Sequence, residues 1–283
     1  MMKVLKGKPV ADAIKDNLIK DIEKLKERGM IPTLAVVRVG NRTDDVSYEN
    51  SILKRCSTMG IETKLYILDF DIAMEEFTDI LDDINKDKNI HGILTFRPLP
   101  KHLDAEFING FINKDKDSDC MNPVNLEKIF EGKMDGVMPC TPEAVMEILK
   151  FYGYNLQGKN VAVINRSMVV GKPLSMMLLA EDATVTICHS RSKNLSEITS
   201  KADIVITAVG RANMLDSSYF NKESVVIDVS INDAGEGKIC GDVNFESVRE
   251  NVSAITPVPG GVGSVTTNLL LKHVVQACKN NVV

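Results

Sequence analysis

Residues 161–173, VAVINRSMVVGKP, decide how this chain folds. Val161 to Ile164 is a short apolar run of the kind that forms a buried parallel strand. Asn165, Arg166 and Ser167 predict a tight turn, and Gly171 to Ala180 a helix opened by Gly-Lys-Pro. Proline suits that first turn because its missing N–H would have no intrahelical acceptor anyway. A strand, a small-residue turn and a helix N-terminus bring free N–H groups to the positive end of the helix dipole, which makes an anion site. The usual dinucleotide fingerprint, G-x-G-x-x-G, is absent. Asn165 and Ser167 hold its first two glycine positions, and Gly171 arrives one place late. The competing reading is an ordinary strand-to-helix connection with a glycine for packing.

Thr184 to Cys188 is a second β-branched run, followed by His189-Ser190-Arg191-Ser192. An NAD site usually has an acid at this strand end to grip the ribose 2′-hydroxyl, whereas an NADP site gathers cations and hydroxyls around the 2′-phosphate. No Asp or Glu stands there. Arg191 offers a guanidinium fork, Ser190 a hydroxyl and Arg166 a second cation from the first turn, which predicts NADP. Taken singly, Arg191 also reads as a solvated surface residue.

The 283 residues suit two domains, since single cores stop growing near about 250–300 residues. Hydrophobic residues at 44% and charged residues at 26% are ordinary for a globular chain. A net charge of −5 leaves no nucleic-acid footprint, and no apolar run reaches transmembrane length. The start, MMKVLKGKPVADAIKDNL, lacks a secretory apolar core, so the expectation is a cytoplasmic protein. Cys56, Cys120, Cys140, Cys188, Cys240 and Cys278 show no C-x-x-C spacing and predict reduced thiols, with no metal site.

Val10, Ile14, Leu18, Ile22 and Leu25 recur at helical spacing, and Gly29 stops that helix. Strands at Leu34–Val39, Thr63–Leu68 and Gly92–Thr95 alternate with helices from Ser47 to Met59 and from Met74 to Ile84, and Asn41–Asp45 reads as a polar loop. Near Pro139-Cys140-Thr141-Pro142 the chain changes domain, and a helix from Glu143 to Phe151 leads to the Val161 strand. Further strands are expected at Asp203–Ala208, Ser224–Val229 and Ser253–Ile255, with a last helix from about Thr266 to Lys279. The alternation predicts an α/β fold with two α/β domains. Residues 1–140 form the first, residues 141–265 a Rossmann-like doubly wound parallel sheet, and the helix of 266–283 returns to the first.

Across almost its whole length the chain resembles the bifunctional methylenetetrahydrofolate dehydrogenase / methenyltetrahydrofolate cyclohydrolase family. The matching segments begin with Tyr48 on its helix, Gly92-Ile93-Leu94, Pro98-Leu99-Pro100 and Lys116-Asp117-Ser118-Asp119. They continue with Pro139–Pro142, Arg166-Ser167, Val170–Pro173, Val226–Val229, Gly241-Asp242-Val243 and the long string Thr256–Gly263. The resemblance implies a folate cleft between the two domains and a homodimer. Tyr48 would stack on the substrate and Asp119 would bind its pterin end, both as catalytic-site residues, while Leu99, Pro100, Pro259, Gly260 and Gly261 shape the walls. NADP would lie on Asn165, Arg166, Ser167, Ser190, Arg191, Gly210, Ile231 and Thr266. Without the resemblance, Tyr48 reads as a half-buried helix tyrosine and Asp119 as a turn residue.

The departures carry more than the matches. The family's helix reads Tyr-x-x-x-Lys, and the lysine is its general acid/base; four residues after Tyr48 this chain has Ile52. Lys54 lies two residues further on, about 200° around the helix, and points elsewhere. The family's glutamine before Leu-Pro-Leu-Pro, partner of that lysine, is replaced by Phe96, followed by Arg97. Asn165, Ala144 and Ser230 replace glycines, Cys120-Met121-Asn122 replaces a Gly-aromatic-His string, and Ser264-Val265 replaces Pro-Met. Moving a hydride from the methylene carbon to the nicotinamide leaves a delocalised cation and transfers no proton, so it needs mainly orientation. Adding water to that cation needs an acid/base worth about 10²–10⁴-fold, which isoleucine and phenylalanine cannot supply. The expectation is an NADP-dependent dehydrogenase whose cyclohydrolase activity is lost or strongly reduced, its product passing to a separate cyclohydrolase. The rival readings are an enzyme that keeps both activities through Lys54 or Arg97, and a non-catalytic folate- and NADP-binding protein.

Overall fold

The computed structural model describes residues 2–281. In chain order the first half holds β1 (Lys3–Val4), α1 (Gly7–Glu27), β2 (Thr33–Val39), α2 (Thr43–Met59), β3 (Glu62–Leu68), α3 (Met74–Lys86) and β4 (Gly92–Thr95). Then come α4 (Ala105–Phe111), α5 (Pro123–Phe130), α6 (Cys140–Phe151), β5 (Asn160–Ile164), α7 (Gly171–Ala180), β6 (Thr184–Cys188), α8 (Leu195–Thr199) and β7 (Ile204–Thr207). The remainder is β8 (Val225–Asp228), the hairpin β9 (Asn232–Gly235) and β10 (Lys238–Cys240), α9 (Phe245–Val248), β11 (Ala254–Ile255) and α10 (Thr266–Asn280).

These elements form two compact units. One takes Ala13–Lys128, Asp135–Met138 and the chain from Thr267 onward; its sheet has the order β3-β2-β4 with both pairings parallel. Every residue of β2 is buried, as a strand covered on both faces requires. Its one charge, Arg38, pairs with Glu49 of α2 at 2.7 Å, and both side chains are buried. Ala35, Val37, Phe77, Leu81, Ile84, Ile93 and Ile108 are among the residues of the core around this sheet. The last helix packs closely here: a Cβ on Gly92 would lie 2.6 Å from Val274 Cγ2.

The other unit takes the chain through Asp12, Ile129–Met134 and Pro139–Thr266. Its six strands run in the order β1-β11-β8-β7-β5-β6, all parallel. β7 and β8 are fully buried and apolar except at Thr207 and Asp228. β5 is followed in sequence by β6 on one side and then by β7 on the other, so the topology reverses between β5 and β7. In open α/β sheets a ligand sits at the strand ends of such a point.

The structure differs from the sequence expectation in several places, among them the short helices α4, α5, α8 and α9 and the placement of Ile129–Met134 in the second unit. The N-terminal residues belong with the six-stranded sheet and not with the first domain, because Lys3–Val4 pairs with Ala254–Ile255. A two-residue strand leaves no periodicity to read. Helix α2 begins at Thr43, inside the stretch expected to be a loop, and Asp44 and Asp45 in its first turn suit the helix dipole. The sequence does not announce the β9–β10 hairpin, since its strands are short and largely exposed. Residues 1, 282 and 283, included in the domain limits drawn from sequence, lie outside the described residues.

Candidate functional site

Helix α2 presents Tyr48, a residue 43% exposed, one turn before Ile52, which is 0% exposed. The direction of this face is fixed by Arg38. Besides Glu49, it donates to the Gly40 carbonyl and to Asn41 Oδ1, and so ties the loop before α2 to the strand beneath it. Phe96, 6% exposed at the end of β4, packs on Tyr48 with ring centroids 5.4 Å apart. Where the resemblance expects a lysine and a glutamine, the structure therefore has two buried apolar side chains, Ile52 one turn along α2 from Tyr48 and Phe96 against the Tyr48 ring. Lys54 is exposed. Arg97 is turned to Asn109, to which its Nη2 donates, and its buried Nε has no partner among the described residues. Burial lowers its pKa, an effect partly offset by the nearby Asp119 and Asp117 carboxylates. Leu99 packs against the core of its unit, and the Pro100 carbonyl accepts from the Leu103 N–H.

In Lys116-Asp117-Ser118-Asp119 the first two residues are structural. The Lys116 ammonium is buried and donates to the carbonyls of Ile84, Asn85 and Asp87 at the end of α3. The Asp117 carboxylate accepts from the backbone of Met121 and Asn122 and from the Asn125 side chain. With Cys120 at φ 54, this turn leaves Asp119 half-buried while its neighbours on both sides are buried.

The turn after β5 is built by Asn165 in place of a glycine. Its Oδ1 accepts from Ser167 N (2.7 Å), Ser167 Oγ (2.8 Å) and Gly171 N (3.0 Å), and its Nδ2 donates to the Ala208 carbonyl at 2.6 Å. One amide thus shapes the turn and bridges β5 to β7 at the switch point. Gly171 is required by close approach, because a Cβ there would lie 2.1 Å from the Asn165 carbonyl oxygen. A pocket of ≈430 Å³ opens over this turn, and Asn165, Arg166, Ser167, Ser190, Val209 and Arg211 are among its walls.

A second pocket, of ≈230 Å³, includes Ser230, Ile231 and the Pro257–Ser264 segment. The Gly260 carbonyl accepts from Gly7 N at 2.8 Å, so the N-terminal segment laces this loop in place. Thr266 opens α10 and lines neither pocket. Asp228, which lines the second pocket, and Asp242, which lines neither, are both buried. Burial pushes Asp228 up to about 7 although the Val243, Asp242 and Ser230 N–H groups donate to it; the adjacent Asp242 adds to the rise. The unfolded carboxyl titrates near 3.8, so between about pH 4 and pH 7 the folded chain holds a proton that the unfolded chain has released. Stability from this group is full at the low end and lost above about pH 7, a change of about 4 kcal/mol. Denaturant unfolding across that range should show the decline, and Asp228→Asn should flatten it; an unchanged slope would assign the decline elsewhere.

Of the residues expected to hold the cofactor, Asn165, Arg166, Ser167 and Ser190 share one pocket and Ile231 lines the other. Arg191 is exposed and outside the lining, while Gly210 lies between two lining residues. Sequence reading missed Arg211 and Val209. Their position just past β7 was the available signal, since ligands meet such a sheet at its strand ends.

Residues 5–119 match the family described as tetrahydrofolate dehydrogenase/cyclohydrolase, catalytic domain, and residues 139–282 match its NAD(P)-binding domain. The chain is 58% identical to bifunctional protein FolD 1 of Desulfitobacterium hafniense (strain Y51), over 99% of its own length and 100% of the relative's. Among solved structures it is similar to the bifunctional methylenetetrahydrofolate dehydrogenase/cyclohydrolase of Campylobacter jejuni, at 40% identity, a TM-score of 0.97 and 99% coverage of each chain. It is also similar to the Trypanosoma brucei enzyme complexed with NADP cofactor and inhibitor, at 32% identity and a TM-score of 0.93, covering 99% of this chain and 98% of that one.

Proposed function

This chain belongs to the tetrahydrofolate dehydrogenase/cyclohydrolase family, and from that premise we propose that it oxidises 5,10-methylenetetrahydrofolate to 5,10-methenyltetrahydrofolate with NADP, its cyclohydrolase activity lost or strongly reduced. The observation that carries the second half is the burial of two apolar side chains next to Tyr48, Ile52 one helical turn away and Phe96 on its ring. A water between two such side chains lacks the two to four polar partners that hold it, and neither side chain exchanges a proton. Hydride transfer asks for less: a folate oriented by Tyr48 and Asp119, a nicotinamide dinucleotide anchored over the Asn165 turn, and exclusion of water. When bound, NADP supplies the hydride acceptor. Arg166, Ser190 and Arg211 would supply cations and a hydroxyl for its phosphates, on a turn whose shape Asn165 holds. The family resemblance further supports a homodimer.

Purified protein given methylenetetrahydrofolate with NADP or NAD, and followed for both reduced cofactor and methenyl product, tests the reading. Reduced cofactor accumulating with methenyl product, faster with NADP, is the expected result. Formyl product at the dehydrogenase rate would restore full bifunctionality, and no reduced cofactor at all would leave a binding protein.

Asp119→Ala should weaken folate binding and leave NADP affinity nearly unchanged, because the carboxylate is assigned to the pterin. A charged hydrogen bond of this kind is worth about 1.5–3 kcal/mol, or some tenfold to a hundredfold in affinity. Calorimetry with tetrahydrofolate reads it directly, and unchanged affinity would make Asp119 a loop residue only.

A further inference from the structure

We infer that Asp242 is a positioning residue for the cofactor, its carboxylate fixing the strand-end segment that carries Val209 and Arg211 into the pocket wall. The inference deepens the proposed function and rests on NADP occupying that pocket. Asp242 is 0% exposed and is absent from the lining of either pocket. Its Oδ2 accepts from Thr207 Oγ1 (2.8 Å), Val209 N (2.6 Å) and Ser230 Oγ (2.8 Å). Its Oδ1 accepts from Arg211 N (2.8 Å) and Asn232 Nδ2 (3.1 Å). Five donors therefore converge on one carboxylate, which saturates its lone pairs.

The donors come from two separated segments: the end of β7 with the loop after it (Thr207, Val209, Arg211), and the loop after β8 with the start of β9 (Ser230, Asn232). Gly210, at φ 74, turns the first loop so that the N–H groups before and after it both face the carboxylate. Its own N–H is held by Ser230 Oγ at 3.1 Å, which closes the link between the loops. Held this way, Val209 and Arg211 line the same pocket as Asn165 and Arg166. Burial alone would raise the Asp242 pKa, but the N–H groups of Val209 and Arg211, with the Ser230 and Thr207 hydroxyls, bring it below the ordinary value. The carboxylate therefore stays ionised, its charge stabilised by uncharged donors, and it holds the two segments together. A wall set before the ligand arrives saves the ordering cost on binding.

The test is NADPH fluorescence titration of the full chain and of Asp242→Asn, with tetrahydrofolate binding measured by calorimetry on the same preparations. An asparagine turns an amide nitrogen toward donors that require an acceptor. The NADPH Kd should rise about tenfold or more while the tetrahydrofolate Kd stays within about twofold. An NADPH Kd unchanged, or an equal loss for both ligands, overturns the inference in favour of a structural role only. Should Asp242→Asn fail to fold, Ser230→Ala and Thr207→Val each remove one donor from the same oxygen. Each should raise the NADPH Kd about threefold, and no change in either overturns the inference. Absence of NADPH binding by the unmodified protein overturns the cofactor reading itself, an outcome distinct from binding that ignores Asp242.

Discussion

Ile52→Lys combined with Phe96→Gln is expected to raise hydrolysis of methenyltetrahydrofolate by about 10²–10⁴-fold over the unmodified protein, the range a positioned acid/base supplies. The pairing is essential. Ile52 is fully buried and Phe96 nearly so, with the Phe96 ring on Tyr48. A lysine alone would place an ammonium against that ring with no acceptor, and the cost of desolvating it would fall on stability or on its pKa. Glutamine at 96 supplies the acceptor and removes the ring that fills the space. The single Ile52→Lys variant should therefore fold less stably and open the ring slowly, whereas the double variant gains activity beyond the sum of the two. Hydride transfer needs no proton, so reduction of NADP should change far less. Efficient methenyl hydrolysis by the unmodified protein, surviving Arg97→Ala and Lys54→Ala, would show that this account of the site is wrong.

Gly171→Ala is expected to abolish NADP binding and to lower stability by more than about 3 kcal/mol, at the upper end of overpacking effects. The added methyl would lie 2.1 Å from the Asn165 carbonyl oxygen and 2.7 Å from Arg166 N, both backbone atoms that no rotamer change can move aside. Relief requires moving the helix away from the turn. That motion stretches the Gly171 N–H bond to Asn165 Oδ1 and, through Asn165 Nδ2, the link to the β7 end. Gly110→Ala is the matched control: it sits in α4 with nothing within 4 Å of the added methyl. There the change should be neutral or stabilising by about 0.5–1 kcal/mol, from helix propensity alone. Thermal unfolding and NADPH titration of both variants separate the two cases, and a Gly171→Ala protein that binds NADPH normally would remove the close approach from the account.

The amino-acid sequence by itself determined the α/β alternation, the β5–α7 turn and the departure at Ile52 and Phe96. Each is written in contiguous residues: apolar runs of strand length mark buried parallel strands, and a helix of fixed period puts position 52 on the face of Tyr48. The Lys116 cap on the end of α3 and the Arg38–Glu49 pair were not legible, because each joins residues whose meeting depends on how a helix lies on a strand. Arg191 and Arg211 show the same limit. Both follow strands of the same sheet and both are exposed, but of the two only Arg211 lines the pocket; its N–H is held by Asp242 of a separate segment, whereas that of Arg191 is held by His189 of its own turn. Composition and period report how far a residue is buried. They carry no record of which separated loops a single carboxylate draws together, and that convergence was decided by the tertiary structure alone.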